Sequence, residues 1–386
     1  MSTYARFPLT LVRGKGSRVW DDNGNEYLDF ISGIAVNTLG YVHPQLTAAL
    51  SEQAGTMLHC SNLFHIPKQR QLAEKLTTLS GLDAVFFCNS GAEANEAAIK
   101  LARKYFHDMD SSRRTIITAT RSFHGRLLST LTATGQDKVK IGFDPLPPGF
   151  LHVPLNDIEA LKQAVNEQTA AVLLEPLQGE GGVNIATAAY LQAVRKLCDE
   201  FGLLLILDEV QTGIGRCGTM FAFEQAGIVP DVLTLAKGLG GGVAIGAMLA
   251  TDTVSASFGP GTHGSTFGGN PLACTAALTV LNVIESAGLL SNVQRRGKQL
   301  RQGLRDLACR FPVIRQVRGQ GLLIGAELSV EVAPLIAAAR GKGLLILMAG
   351  PNVLRFLPPL NISAEEVDEA LTTVGSVLES TLEAGE

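Results

Sequence analysis

The sequence predicts an α/β protein: a large domain on a mainly parallel, helix-covered central sheet, plus a second, smaller α/β domain. Two observations carry that class. Five short apolar runs, Thr115–Thr118, Ala171–Leu174, Leu203–Leu207, Val232–Leu235 and Ala244–Ala250, lack the alternation of a half-solvated strand, as strands covered on both faces do. Amphipathic stretches separate them. Ala94, Ala98, Leu101, Ala102 and Tyr105 share one helical face, as do Leu191, Val194, Leu197, Cys198 and Phe201 ahead of a stop at Gly202. Strand–helix alternation of this kind predicts parallel pairing.

The chain ends read differently. Arg18 to Leu28 resembles a hairpin turning at Asn23-Gly24, with Asp21 and Asp22 as turn chemistry. One long helix is expected from about Pro271 to Phe311, then strands near Gly321–Leu328, Leu344–Met348 and Val353–Leu357. The last helix opens with the capping box Ser363-x-x-Glu366 and carries Val367, Leu371, Val374, Leu378 and Leu382 on one stripe. The expected division is a large domain at 61–285 and a small domain made from 1–60 and 286–386.

Composition narrows the function. A chain of 386 residues can bury a large core, and 41 glycines predict many tight backbone turns. A net charge of −4 without a basic block argues against nucleic acid or an anionic membrane surface as partner. The first residues lack the apolar core of a signal peptide, and no apolar run is long enough to span a membrane. Six scattered cysteines with no C-x-x-C pair predict neither a disulfide framework nor a zinc site. A cytoplasmic enzyme with no metal is expected.

Three constellations carry chemistry. Asn89-Ser90-Gly91-Ala92-Glu93 stands directly before an amphipathic helix, where free N–H groups and the helix dipole favour an anion such as phosphate; a plain cap by Ser90 explains the same residues. Asp208-Glu209 ends the apolar run Leu203–Leu207, at the edge where open α/β sheets bind ligands. A carboxylate there needs a cation, and a protonated ring nitrogen, a magnesium ion or a turn would each use it. Lys237 ends Val232–Leu235 and precedes a glycine-rich stretch, where burial would lower its pKa and suit an imine-forming amine; a surface lysine on a turn is the plainer reading. Together the three form the set that pyridoxal 5′-phosphate requires: a phosphate cradle, a carboxylate for the ring nitrogen and a lysine for the aldehyde.

Several motifs in order then resemble the class III pyridoxal-phosphate aminotransferases over essentially the whole length. They are Ser32-Gly-Ile-Ala-Val-Asn37, Cys60-Ser-Asn-Leu-Phe64, Ser122-Phe-His-Gly-Arg126, Glu175-Pro-Leu-Gln-Gly-Glu180-Gly-Gly, Leu207-Asp-Glu-Val-Gln-Thr-Gly213, Gly264-Ser-Thr-Phe-Gly-Gly-Asn270 and Leu354-Arg-Phe-Leu-Pro-Pro359. The resemblance implies the type I fold of pyridoxal-phosphate enzymes and a homodimer with a shared active site. It implies that Lys237 holds the cofactor aldehyde and shuttles protons, that Asp208 faces the ring nitrogen and that Gln211 lies near the ring hydroxyl. Ser90, Gly91 and Ala92 are expected at the phosphate, with Thr266 reaching over from the partner, Phe123 on the ring face, and Glu209 and Val210 also against the cofactor. Arg126, assisted by Ser265, is expected to grip a carboxylate remote from the reacting carbon. Arg355 would take the α-carboxylate of glutamate and pair with Glu180 when an ω-amino substrate is bound.

Within the class the motifs are most like those of enzymes exchanging the δ-amino group of N2-acetyl-L-ornithine with 2-oxoglutarate. Succinylornithine, ornithine, succinyl-diaminopimelate and 4-aminobutyrate are the alternative donors. Two departures bear on acyl selectivity: Val243-Ala-Ile-Gly-Ala lacks the usual aromatic and proline, and Tyr41-Val42 stands where His-Gly is common. His124 and His263 read as orienting or structural, and Cys88 as a small core residue.

Overall fold

A computed structural model describes residues 1–383. The central sheet has seven strands, Ala84–Cys88, Gly246–Ala250, Val232–Leu235, Leu204–Asp208, Thr169–Leu174, Thr115–Ala119 and Phe150–Val153, in that spatial order. Gly246–Ala250 runs antiparallel to both its neighbours, and every other pairing in the sheet is parallel. The other six strands therefore end at one edge.

The apolar runs are unbroken because both faces are covered. Ile116, Ala171, Leu173, Leu204, Ile206 and Val232 pack on one side with Ala98, Leu101, Ala102 and Phe106 of the helix Gly91–Asp108. Their neighbours Ile117, Val172, Leu174, Leu205, Leu207 and Leu233 pack on the other, with Val194, Leu197 and Cys198 of the helix Ala188–Phe201. Gly202 ends that helix at φ 61°, where its N–H satisfies the carbonyls of Asp199 and Cys198.

Two strands escape the sequence pattern. Phe150–Val153 and Ala84–Cys88 are the two edge strands, and each keeps partly exposed residues. The expected long helix is two, Pro271–Ser286 and Leu289–Arg310, bent by 71°. Gly288 between them adopts φ 60°, a left-handed conformation that ends one helix and redirects the chain into the next. No single helix among the described residues is long and apolar enough to cross a membrane.

The chain ends build two four-stranded sheets. Leu11–Lys15, Arg18–Asp21 and Glu26–Asp29 form a meander completed by Leu344–Leu345 from the far end of the chain. The turn at Asn23-Gly24 forms as expected: the Asp21 carboxylate accepts the N–H groups of Asn23 and Asn25 at 3.0 and 2.8 Å. Ile314–Gln320, Leu323–Leu328, Val353–Phe356 and Leu347–Met348 form the other sheet. The expected strand Leu344–Met348 is thus divided between the two sheets at Ile346. The final helix, Ala364–Glu383, starts on the reciprocal capping box: Ser363 N–H donates to Glu366 at 2.8 Å and Glu366 N–H to the Ser363 hydroxyl at 3.2 Å. Val367, Val374 and Leu378 are buried along its stripe, and the Leu382 side chain lies outside the described residues.

Candidate active site

The shared edge of the six strands opens into a cavity of about 390 Å³, lined among others by Ser90, Phe123, Glu175, Asp208 and Lys237. Each of these follows or ends a different strand, so the sheet fixes their spacing. At the first of them, Ser90 caps the helix Gly91–Asp108 by accepting the Glu93 N–H at 3.2 Å, and the Glu93 carboxylate turns back to the Asn89 N–H at 2.5 Å. The N–H groups of Gly91 and Ala92 keep no acceptor among the described residues. A Cβ on Gly91 would stand 2.6 Å from Val210, so only glycine lets this helix start approach the strand exit at Asp208–Val210.

Asp208 is buried and fully engaged. One oxygen accepts from Asn95 Nδ2 at 2.7 Å and faces His124 Nδ1 at 2.8 Å; the other accepts the Val210 N–H at 3.0 Å. Asn95 is itself locked, accepting from Thr234 Oγ1 at 2.7 Å and donating to the His124 carbonyl at 2.9 Å. A carboxylate held by three partners in a cavity wall keeps one geometry, and a cationic group placed against it would be stabilised. Asn95 and Glu175 are site residues the sequence reading did not single out, and His124 takes the orienting place it suggested.

Lys237 leaves its strand with φ 41°, a strained backbone for a lysine. Burial lowers its pKa; Glu180 pulls it back up, Arg355 pushes further down, and Asp208 and Glu175 favour the charged form more weakly. The net direction is down, towards a free amine. Glu175 is displaced the other way, well above the ordinary carboxylate range, because it is buried and lies near Asp208. Its carboxyl accepts the Phe123 N–H at 3.0 Å, and the Arg126 guanidinium lies 5.6 Å from the Phe123 ring centre.

On the small-sheet side, Arg355 of the strand Val353–Phe356 is only 2 % exposed. It donates to Glu180 at 2.7 and 3.3 Å, to the Gly179 carbonyl at 2.8 Å and to Gln211 Oε1 at 3.4 Å. Gln211 donates in turn to Glu180 at 3.3 Å. Burial alone would raise Glu180, but Arg355, with help from Lys237 and Gln211, outweighs it and holds the carboxyl below its usual value.

Glu209 and Ser265 stand elsewhere, and Thr266, expected to act on the partner's site, lies outside the cavity of its own chain. Glu209 does not line the cavity. Leaving the strand next to Asp208, its carboxylate turns away and accepts the N–H groups of Ala222 and Phe223 at 2.7 and 2.8 Å and the Thr212 hydroxyl at 3.2 Å. Burial pushes it up to about 7 against those bonds, and its place is structural. Ser265 is not among the residues lining the cavity; its hydroxyl accepts from Asn89 Nδ2 at 3.2 Å and the Gly268 N–H at 3.0 Å and makes no hydrogen bond with Arg126. Thr266 is exposed and outside the cavity of its own chain. Gly91, Ala92, Phe123, Arg126, Glu180, Val210, Gln211 and Lys237 do meet around it.

The donor set fits pyridoxal phosphate. Two free N–H groups at a long helix start suit a phosphate, the fixed Asp208 suits a protonated ring nitrogen, and the free-amine tendency of Lys237 suits an aldehyde. Residues 2–378 match the family described as aminotransferase class-III, so the fold is that of an enzyme that moves amino groups. The chain belongs to the class III aminotransferases. Acetylornithine aminotransferase of Caldanaerobacter subterraneus subsp. tengcongensis is 54% identical over 98% of this chain and 96% of its own. That of Thermosynechococcus vestitus is 55% identical over 98% and 94%. The crystal structure of N-acetylornithine aminotransferase from Stenotrophomonas maltophilia superposes with a TM-score of 0.87 at 43% identity over 99% of both chains.

Proposed function

We propose that this enzyme, with pyridoxal phosphate as cofactor, transfers the δ-amino group of N2-acetyl-L-ornithine to 2-oxoglutarate. The products are N-acetyl-L-glutamate 5-semialdehyde and L-glutamate, a step of arginine metabolism. One observation carries the two-substrate reading: the buried Arg355–Glu180 pair at 2.7 Å beside Lys237. The acylated donor is supported by the names and high identity of the full-length relatives.

Pyridoxal phosphate supplies an aldehyde to bind the amine and a ring that accepts electrons. Lys237 Nζ, biased to the free amine, takes the proton from the carbon bearing the donor amino group and returns it on the other side of the exchange. Asp208 holds the ring-nitrogen proton in place, with His124 and Asn95 fixing its carboxylate. Gly91 and Ala92 N–H groups hold the phosphate, and Phe123 and Val210 confine the ring. Arg126 holds the carboxylate that both substrates carry away from the reacting carbon.

Arg355 and Glu180 let one cavity serve both. While the donor's amino end occupies the site, the pair stays closed and Arg355 is neutralised. When 2-oxoglutarate enters, its α-carboxylate takes Arg355 and Glu180 is displaced. Glu180→Gln leaves Arg355 without its counter-charge when the donor is bound. The ratio of kcat/KM for 2-oxoglutarate to that for acetylornithine then rises by roughly ten- to a hundredfold. An unchanged ratio in steady-state assays contradicts the switch.

A homodimer completes the site in this reading. Thr266 sits among exposed Leu63, Phe64 and Phe267 (88%, 67% and 61% exposed), an apolar patch that suits a subunit interface and presents Thr266 to the partner's phosphate. Six free cysteines suit the reducing cytoplasm.

A further inference from the structure

The segment after the first meander holds an unusual backbone. Ser32, Gly33, Ile34 and Ala35 have φ of 50°, 63°, 66° and 63°, a left-handed helical turn in which three of four residues carry a Cβ. Such residues visit this region singly, and a run of them persists only where the surroundings impose it. The turn closes with Val36 and Asn37 N–H groups on the Ser32 carbonyl at 2.7 and 2.8 Å. It also leaves the fully buried Ser32 hydroxyl without a partner. Strain and an orphaned hydroxyl in one turn mark a site kept for a purpose other than stability.

Both ends of the turn are fastened. At the start, the buried Asp29 carboxylate accepts the Ile31 N–H at 2.7 Å and the Ser32 N–H at 3.1 Å, and the Tyr41 hydroxyl donates to its other oxygen at 2.8 Å. The Tyr41 ring packs where a Cβ on Gly14 would stand, 2.4 Å away, so the meander locks the ring. At the far end, Thr38 Oγ1 donates to the Gly238 carbonyl at 2.9 Å, the residue directly after Lys237. Val36, the next residue, lines the cavity, as do Gly242, Val243 and Ile245.

We propose that Asp29 and Tyr41 are positioning residues that hold this left-handed turn as the wall receiving the donor's acylamino group. The inference rests on the acetylornithine reading above. Donor and acceptor share the distal carboxylate, but only the donor carries an acylamino group, so a shifted apolar wall penalises the donor alone.

The test follows the cofactor's visible band in the holoenzyme as it is bleached by acetylornithine or, separately, by L-glutamate. Tyr41→Phe keeps the packed ring and removes its hydrogen bond to the buried Asp29 carboxyl group. The half-saturating acetylornithine concentration rises by roughly tenfold, while that for glutamate and the starting spectrum stay as in the wild type. Adding Ala35→Gly, which adopts φ 63° without strain, restores much of the donor's affinity, a rescue that general loosening would not give. Equal weakening of both amines, no weakening of either, or absence of rescue overturns the inference. A wild-type enzyme that responds to glutamate and not to acetylornithine overturns the functional reading and the inference with it.

Discussion

Lys237→Ala abolishes amino transfer. Burial lowers the pKa of the Lys237 amine, which has both tasks here, binding the aldehyde and moving the proton. Turnover falls by about 10⁴-fold or more; of the carboxyl groups in the wall, Glu175 has its pKa raised by burial, Glu180 is paired with Arg355 and Asp208 is engaged by Asn95 and His124. The fold survives: the strand Val232–Leu235 is anchored on both sides by Leu204–Asp208 and Gly246–Ala250, and losing the side chain relieves the charge burial that lowers its pKa. Retained far-ultraviolet circular dichroism with lost turnover is the expected pair of results. Transamination at the wild-type rate contradicts the mechanism.

Asp208→Asn has the second-largest effect. The amide fits the same space and keeps an acceptor for Val210, but the fixed negative charge is gone and an N–H group now faces Asn95 or His124. Removing one partner of a buried charge pair costs about 3–5 kcal/mol. Spent on a ring-nitrogen proton that must persist through the reaction, that loss lowers kcat by roughly a hundred- to several-thousandfold. Cofactor binding weakens less, since the phosphate and Lys237 contacts remain. An unchanged kcat at saturating cofactor shows that Asp208 does not face the ring nitrogen.

The residues legible in the sequence are those whose position follows from a local pattern. Asp208 and Lys237 stand out because each ends an unbroken apolar strand, and Ser90 because it precedes an amphipathic helix. Asn95, His124 and Glu175 meet Asp208 or Phe123 only through the order of strands in the sheet, and no local spacing announces that. Glu209 shows the opposite failure. The resemblance placed it against the cofactor, but neighbouring residues at a strand exit point to opposite sides, and its carboxylate serves the turn at Ala222–Phe223. The break at Gly288 was hidden because the apolar stripe resumes on the next helix. The division at Ile346 was hidden because one short apolar run feeds two sheets. The left-handed turn at Ser32–Ala35 carries no sequence mark beyond Gly33, since the conformation is imposed by Asp29 and Tyr41.

The absorbance spectrum of the purified protein tests the central claim most directly. A visible band from cofactor held at Lys237 should shift to the near ultraviolet when N2-acetyl-L-ornithine alone is added and return when 2-oxoglutarate follows, displaying both half-reactions in one cuvette. A visible band that acetylornithine leaves in place, but that glutamate bleaches, contradicts the assignment of the acylated donor; no band after incubation with excess pyridoxal phosphate contradicts the reading of the cavity itself.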